Sequence, residues 1–590
     1  MDRSERFPRR ERSARILAMQ SSLLAMFLAA AALVGCDSPG PKQAVAAERD
    51  PGSHVLMVGG TFRVGAPDWK LAQALYSEGG RIVAIGSEAQ VRRRAREPFT
   101  TLDLGGSVAV PGLIDAHGHL EGLGKSLEEI DLRGVDSYAA LISRVAARAA
   151  QVPAGTWIEG RGWDQNLWPD KLFPHHAELS RAVPDHPVLL SRIDGHAILV
   201  NAKALEIAGR AGVQADESPV AGGRMVLDGE RKPTGVFVDN ATGLIEGSVP
   251  EADYETRKRR MLLAAHELAR NGLTGLHDMG EDQMTARILT TFAIGGELPI
   301  EVAGYVSQDW LVNSSSNRTS CWFGAVGPVE PLRYETVGAK LYMDGALGSR
   351  GAALLADYAD EPGNRGLPML SPEQLDELLA KCDENRLQPA IHAIGDLGNQ
   401  RVLDAYQRRM AASKTFAELR PRIEHAQVVA PADWPRFAKL GVIPSMQPTH
   451  ATSDMPWAPS RLGPERVQGA YAWRRLDPEG KSIAFGSDCP VELCDPLAGI
   501  YAAITCADSR GEPKDGYRPD QRLDAARALA GFTLNAARAA NQEKDFGSLE
   551  PGHFANLTVL DLDPLTCAPS ALLGGHHVRM TIVRGEVVYR

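Results

Sequence analysis

Short apolar runs alternate with longer amphipathic segments through most of the chain, a rhythm that predicts βα units and a parallel sheet. Eight runs read as core strands: Val108–His119, Thr274–Gly280, Ile300–Val306, Gly338–Gly345, Gln388–Asp396, Arg422–Gln427, Val442–Pro448 and Ser482–Val491. Segments such as Glu255–Asn271 and Pro372–Arg386 fall between them with one apolar face each, as amphipathic helices do. Eight parallel strands close a TIM barrel, so the expected class is α/β with a (β/α)8 barrel over 108–544. The stretch 122–250 is too long for one crossover and reads as an α+β insertion after the first barrel strand. Alternating runs between Gly-rich turns at 54–107, and again at 545–590, predict a small β-sandwich built from both ends of the chain.

The N-terminus departs from this rhythm. A basic start leads into the apolar stretch Ile16–Val34, the layout of a secretory signal, with a lone membrane span as the alternative. Leu33-Val34-Gly35-Cys36 resembles a bacterial lipobox, which implies a signal peptide over 1–35, a lipid on Cys36 and a flexible tether over 36–53. By the same resemblance Asp37 favours retention at the inner membrane, on the periplasmic face of a bacterial envelope. The formal net charge of −10 argues against nucleic acid as a partner. The remaining cysteines, Cys321, Cys382, Cys489, Cys494, Cys506 and Cys567, form no CxxC pair, and no bridge is assigned. Oligomeric state is open, a homodimer included.

Chemistry concentrates at predicted strand ends. PGLIDAHGHL places His117 and His119 two apart, so both imidazoles face one side of a strand and can share an ion. Alone, such a pair is more often a hydrogen-bonded loop feature. His392 in AIHAIGD, His425 in RIEHAQ and Asp488 in FGSDCPV join it at the C-terminal ends of strands, the rim where barrel enzymes place reactive groups. Behind them stand residues expected to shape the substrate pocket: Trp163, Asp164 and His196 in the insertion and Arg350 after the fourth strand, while His277 and Asp278 after the second strand and His450 after the seventh are expected either to support the metal ligands from behind or to touch substrate. The tryptophans also suit the core of the insertion, and His196 equally suits a structural role.

The order of these residues resembles the amidohydrolase superfamily: HxH after strand one, lysine on strand four, single histidines on strands five and six, aspartate on strand eight. Within it, KLYMDGALGSRGA, HAIGD, IEHAQ and FGSDCPVE are similar to amidohydrolase family 3, the branch of N-substituted formamide deformylase-like and YtcJ-like proteins. The phrase departs from the family at Cys489, expected to be an inert or oxidisable pocket thiol. The resemblance implies one or two divalent ions, zinc foremost, on His117, His119, Lys340, His392, His425 and Asp488. Lys340 is then either N6-carboxylated and bridging, or unmodified and holding a carboxylate or substrate beside a single ion. It further implies hydrolysis of a carbon–nitrogen bond, other than a peptide bond, in a small molecule, with Asp488 as proton shuttle. Four neutral imidazole ligands imply activity that falls in acid as they protonate. Isomerase or deaminase chemistry on the same scaffold, and a ligand-binding lipoprotein without turnover, are the alternatives.

Overall fold

A computed structural model of the chain describes residues 54–193, 195, 197–210, 223–313 and 332–590. The lipobox-like stretch with Cys36 and Asp37, together with Cys321 and His196, lies outside them. Among the described residues no helix is long and apolar enough to cross a membrane.

Eight parallel strands form the central sheet: β1 (Leu113–Gly118), β2 (Leu273–Glu281), β3 (Glu301–Val306), β4 (Tyr334–Tyr342), β5 (Gln388–Ala393), β6 (Arg422–His425), β7 (Ile443–Met446) and β8 (Ala484–Phe485). Each pairs in parallel with its sequence neighbours, in the order β1 to β8. A parallel bridge from Gly118 to Cys489 brings the two edges together into a nearly closed barrel. At this seam Gly486 packs so tightly that a Cβ there would stand 2.5 Å from the backbone nitrogen of His117. Asp115 completes the seam by accepting from the backbone nitrogens of both His117 and Ser487 at 3.0 Å.

Two strand expectations change. The run expected as Val108–His119 divides at Gly112, where a Cβ would approach Thr274 Oγ1 to 2.1 Å. Val108–Pro111 instead pairs with Thr61–Phe62 and Leu557–Leu560, while Leu113 begins the barrel. The last run, expected over Ser482–Val491, keeps only two residues as strand, because the chain turns away where Asp488 adopts φ 58°.

Flanking the barrel are a four-stranded sheet containing His54–Val58 and a six-stranded sheet that adds Leu557–Leu560, Val578–Val583 and Glu586–Tyr589. One buried cluster takes Met57 and Leu75 from the first sheet and Phe62, Ala109, Leu557 and Ile582 from the second, so both ends of the chain share it. Between β1 and β2 lies a separate six-stranded mixed sheet with its own core of Trp163, Trp168, Leu190 and Leu199.

Candidate metal centre

The sequence at each strand end sets how a side chain enters the mouth. His117 lies in β1, and His119 follows as the residue before the helix Leu120–Glu128. Glu424 and His425 are neighbours that a regular strand would send to opposite faces. The left-handed backbone at His425, φ 68°, and Ala426, φ 39°, breaks that alternation. Both side chains therefore meet His117: the Glu424 carboxylate at 2.6 Å from Nδ1, and the His425 ring at 4.8 Å between centroids. Asp488, also left-handed, brings Oδ1 to 3.0 Å from His119 Nε2 and 3.5 Å from His117 Nε2.

His392, on β5, stacks its edge against His425 with ring centroids 4.5 Å apart. Lys340, on β4 and fully buried, places Nζ 3.3 Å from His117 Nε2. Two sets of three residues hold candidate ligand atoms within 4.8 Å of one another: His117, His119 and Asp488, and His425, His450 and Asp488. The structure thus gathers all six residues expected at the metal, and adds His450, whose Nε2 lies 3.8 Å from Asp488 Oδ2.

Whether this pocket fits a metal is answered by its unused nitrogens. Nε2 of His392 and Nε2 of His450 are buried without a hydrogen-bond partner among the described residues. Buried polar atoms are rarely left so, and an imidazole lone pair waiting for a cation accounts for both. The donor set of imidazoles and a carboxylate suits zinc and its transition-metal neighbours.

Electrostatics favour neutral ligands. Burial pushes His117 down to about 4, with the Lys340 ammonium adding to the effect. Burial, again reinforced by Lys340, pushes His392 down to about 3, and burial with the neighbouring His392 holds His425 well below its ordinary value. His119 moves the other way: burial opposes its charge, but the hydrogen bond and charge of Asp488 prevail and raise it. Of the four imidazoles expected as ligands, His119 alone is raised in the metal-free site. Burial brings Lys340 down to about 8.

The pocket-shaping expectations fare differently. Trp163 is fully buried, donates to Leu190 O at 2.8 Å and stacks on Trp168, so of its two readings the ring takes the one in the core of the insertion, not the one against substrate. Of the two places expected for it, His277 takes the one behind the ligands rather than against substrate. Its Nδ1 is 2.9 Å from an Arg422 guanidinium nitrogen inside the barrel, and its side chain borders a small cavity lined also by Ile114, Phe546 and Asn556, away from the mouth. Arg350 is engaged by Asp360 and Glu361. Asp164 accepts from Arg192 at 2.8 Å. Asp278 accepts from the Leu120 backbone at 2.8 Å, so it shapes the turn after His119. Cys489 is buried and unbridged, with Sγ 2.9 Å from where a Gly118 Cβ would lie.

Sequence reasoning missed Arg422 and Glu424. The available signal was two opposite charges at i and i+2 on a strand that should face an apolar barrel interior.

Residues 100–589 match the amidohydrolase family. The chain belongs to that family. It is 32% identical to the putative amidohydrolase YtcJ of Bacillus subtilis (strain 168) over 88% of this chain and 96% of that protein. It is 26% identical to the N-substituted formamide deformylase of Arthrobacter pascens, over 85% of this chain and 92% of the relative. Among solved structures, an uncharacterized metal-dependent hydrolase from Pyrococcus horikoshii OT3 superimposes with a TM-score of 0.73 at 29% identity, covering 88% of this chain and 99% of its own. As an amidohydrolase, the protein is a metal-dependent hydrolase.

Proposed function

We propose that this amidohydrolase cleaves a carbon–nitrogen bond, other than a peptide bond, in a small amide or formamide. The observation that carries the reading is the convergence of His117, His119, His425, His450 and Asp488 on one pocket, with His392 packed against His425 and with Nε2 of His392 and of His450 buried without a partner among the described residues. Likeness to a protein named for deformylation of N-substituted formamides supports the bond type. His117, His119 and Asp488 would hold one divalent ion, zinc foremost, and His392 and His425 a second, with Lys340 between the two sets.

When bound, the ions supply Lewis-acid polarisation of the substrate carbonyl and a water acidic enough to attack at neutral pH. Asp488 takes the proton of that water and delivers it to the departing amine, which is too basic to leave as an anion. Burial keeps His117, His392 and His425 neutral, so their lone pairs stay available. The lowered Lys340 ammonium brings its neutral amine within reach of neutral pH, the form that adds carbon dioxide to become a carbamate with loss of one proton. A second reading keeps Lys340 as an ammonium beside a single ion, favoured by its 3.3 Å approach to His117 Nε2.

The test is elemental analysis of the full-length protein together with turnover of a panel of N-formyl and N-acyl amines before and after chelation. Bound metal, and amine release that metal restores and Asp488→Asn removes, are expected. No bound ion under any reconstitution would sink the reading. We also propose that Cys36 is lipidated and tethers the enzyme to the periplasmic face of the inner membrane; incorporation of labelled fatty acid should vanish in Cys36→Ser, and persistence there would refute it.

A further inference from the structure

Directly behind the metal-facing histidines lies a charged pair inside the barrel. Arg422 and Glu424 are both fully buried. Arg422 grips Glu424 with two hydrogen bonds, Nε to Oε1 at 2.8 Å and Nη2 to Oε2 at 3.0 Å. Its remaining donors reach Tyr305 Oη and His277 Nδ1 at 2.9 Å, Ala116 O at 2.7 Å and Ser445 Oγ at 2.9 Å, tying β1, β2, β3 and β7 to β6. A guanidinium only donates, so His277 Nδ1 must accept and carries no proton. A buried carboxylate is costly unless paired, and this bidentate partner keeps Glu424 an anion that can only accept.

His117 stands between two carboxylates, with Lys340 Nζ also 3.3 Å from its Nε2. Glu424 Oε2 is 2.6 Å from Nδ1, while Asp488 Oδ1 is 3.5 Å from Nε2. One neutral imidazole carries one proton, and each carboxylate competes for it from its own side. The short contact wins, placing the proton on Nδ1. Without the Glu424 charge nothing would hold the proton on Nδ1, and once Lys340 is neutral or carboxylated and no longer donates to Nε2, Asp488 would draw the proton there and block the nitrogen that a metal needs.

We infer that Glu424, clamped by Arg422, is a positioning residue that fixes the proton of His117 on Nδ1 and so keeps the Nε2 lone pair turned towards the metal. This rests on the reading of His117 as a ligand. Outer partners of metal-binding histidines act in this way, and losing one weakens metal binding by about 10- to 100-fold.

The experiment is zinc affinity of the full-length protein, measured by competition with a chelator of known strength, for wild type, E424Q, H117A, H119A and the doubles E424Q/H117A and E424Q/H119A. E424Q should weaken zinc by about 10- to 100-fold. In the H117A background it should add no further loss, because the ring it orients is gone; in the H119A background its effect should persist. A general structural role would weaken zinc equally in both backgrounds, and that result would overturn the inference. So would zinc affinity in E424Q within about twofold of wild type, well short of the change expected from losing an outer partner. If E424Q does not fold, E424D takes its place: it keeps the anion opposite Arg422 but shortens the reach to Nδ1, and it must weaken zinc through His117 alone. A wild type that binds no zinc refutes the metal centre itself, whereas zinc-binding wild type with an indifferent E424Q refutes only the role of Glu424.

Discussion

Replacing His392 by Gln in the chelated protein should change the pH dependence of stability by an amount that follows from its burial. In the unfolded chain this imidazole titrates near 6.5, while the folded environment pushes it down to about 3. Between those values the unfolded state binds a proton that the folded state refuses, so stability falls as pH falls from 6.5 towards 3. At pH 5 the unfolded imidazole lies about 1.5 units below its midpoint, and at about 1.36 kcal/mol per unit the wild type has lost about 2 kcal/mol relative to pH 8. His392→Gln carries no such group and escapes that loss. Asp115, which burial raises to about 6, acts with the opposite sign but is present in both proteins and largely cancels in the difference; Asp344, which burial raises to about 7, lies 3.7 Å from His392 Nε2, so the same comparison is repeated in an Asp344→Asn background, where it titrates in neither protein. The assay is urea unfolding of both proteins in chelator at pH 8 and pH 5. The stability gap should shift by about 2 kcal/mol in favour of the variant on going to pH 5. A gap constant to within about 0.5 kcal/mol would mean that the imidazole protonates freely when folded, and the argument from burial would fail.

Gly486→Ala should destabilise the protein by about 1–3 kcal/mol, because the added methyl meets the His117 backbone, which cannot rotate away; urea unfolding checks it, and wild-type stability would show that the seam is looser than described. Lys340→Gln should lower the number of bound ions per chain without recovery in bicarbonate, since an amide cannot become a carbamate. An unchanged ion count by elemental analysis would instead favour the single-ion reading.

Residue order alone was enough to indicate a barrel rim with HxH, two single histidines and an aspartate, because strand periodicity and the placement of each residue at the end of an apolar run are local properties. Sequence also carried the rhythm of eight strands, though it joined Val108–Pro111 to the barrel when pairing assigns those residues to the neighbouring sheet. Which polar residues face the pocket was decided only by tertiary structure. Trp163 and His277 stand in polar, active-site-like phrases, yet one packs in the insertion core and the other bonds to Arg422 behind the centre. The left-handed turns at His425 and Asp488 have no sequence mark, since neither is glycine, and they alone bring Glu424 and His425 to the same ring and Asp488 to both histidines of β1. The physical reason is range: alternation along a strand is set by neighbours in sequence, whereas the partner of a nitrogen is set by residues hundreds of positions away that meet only when the barrel closes.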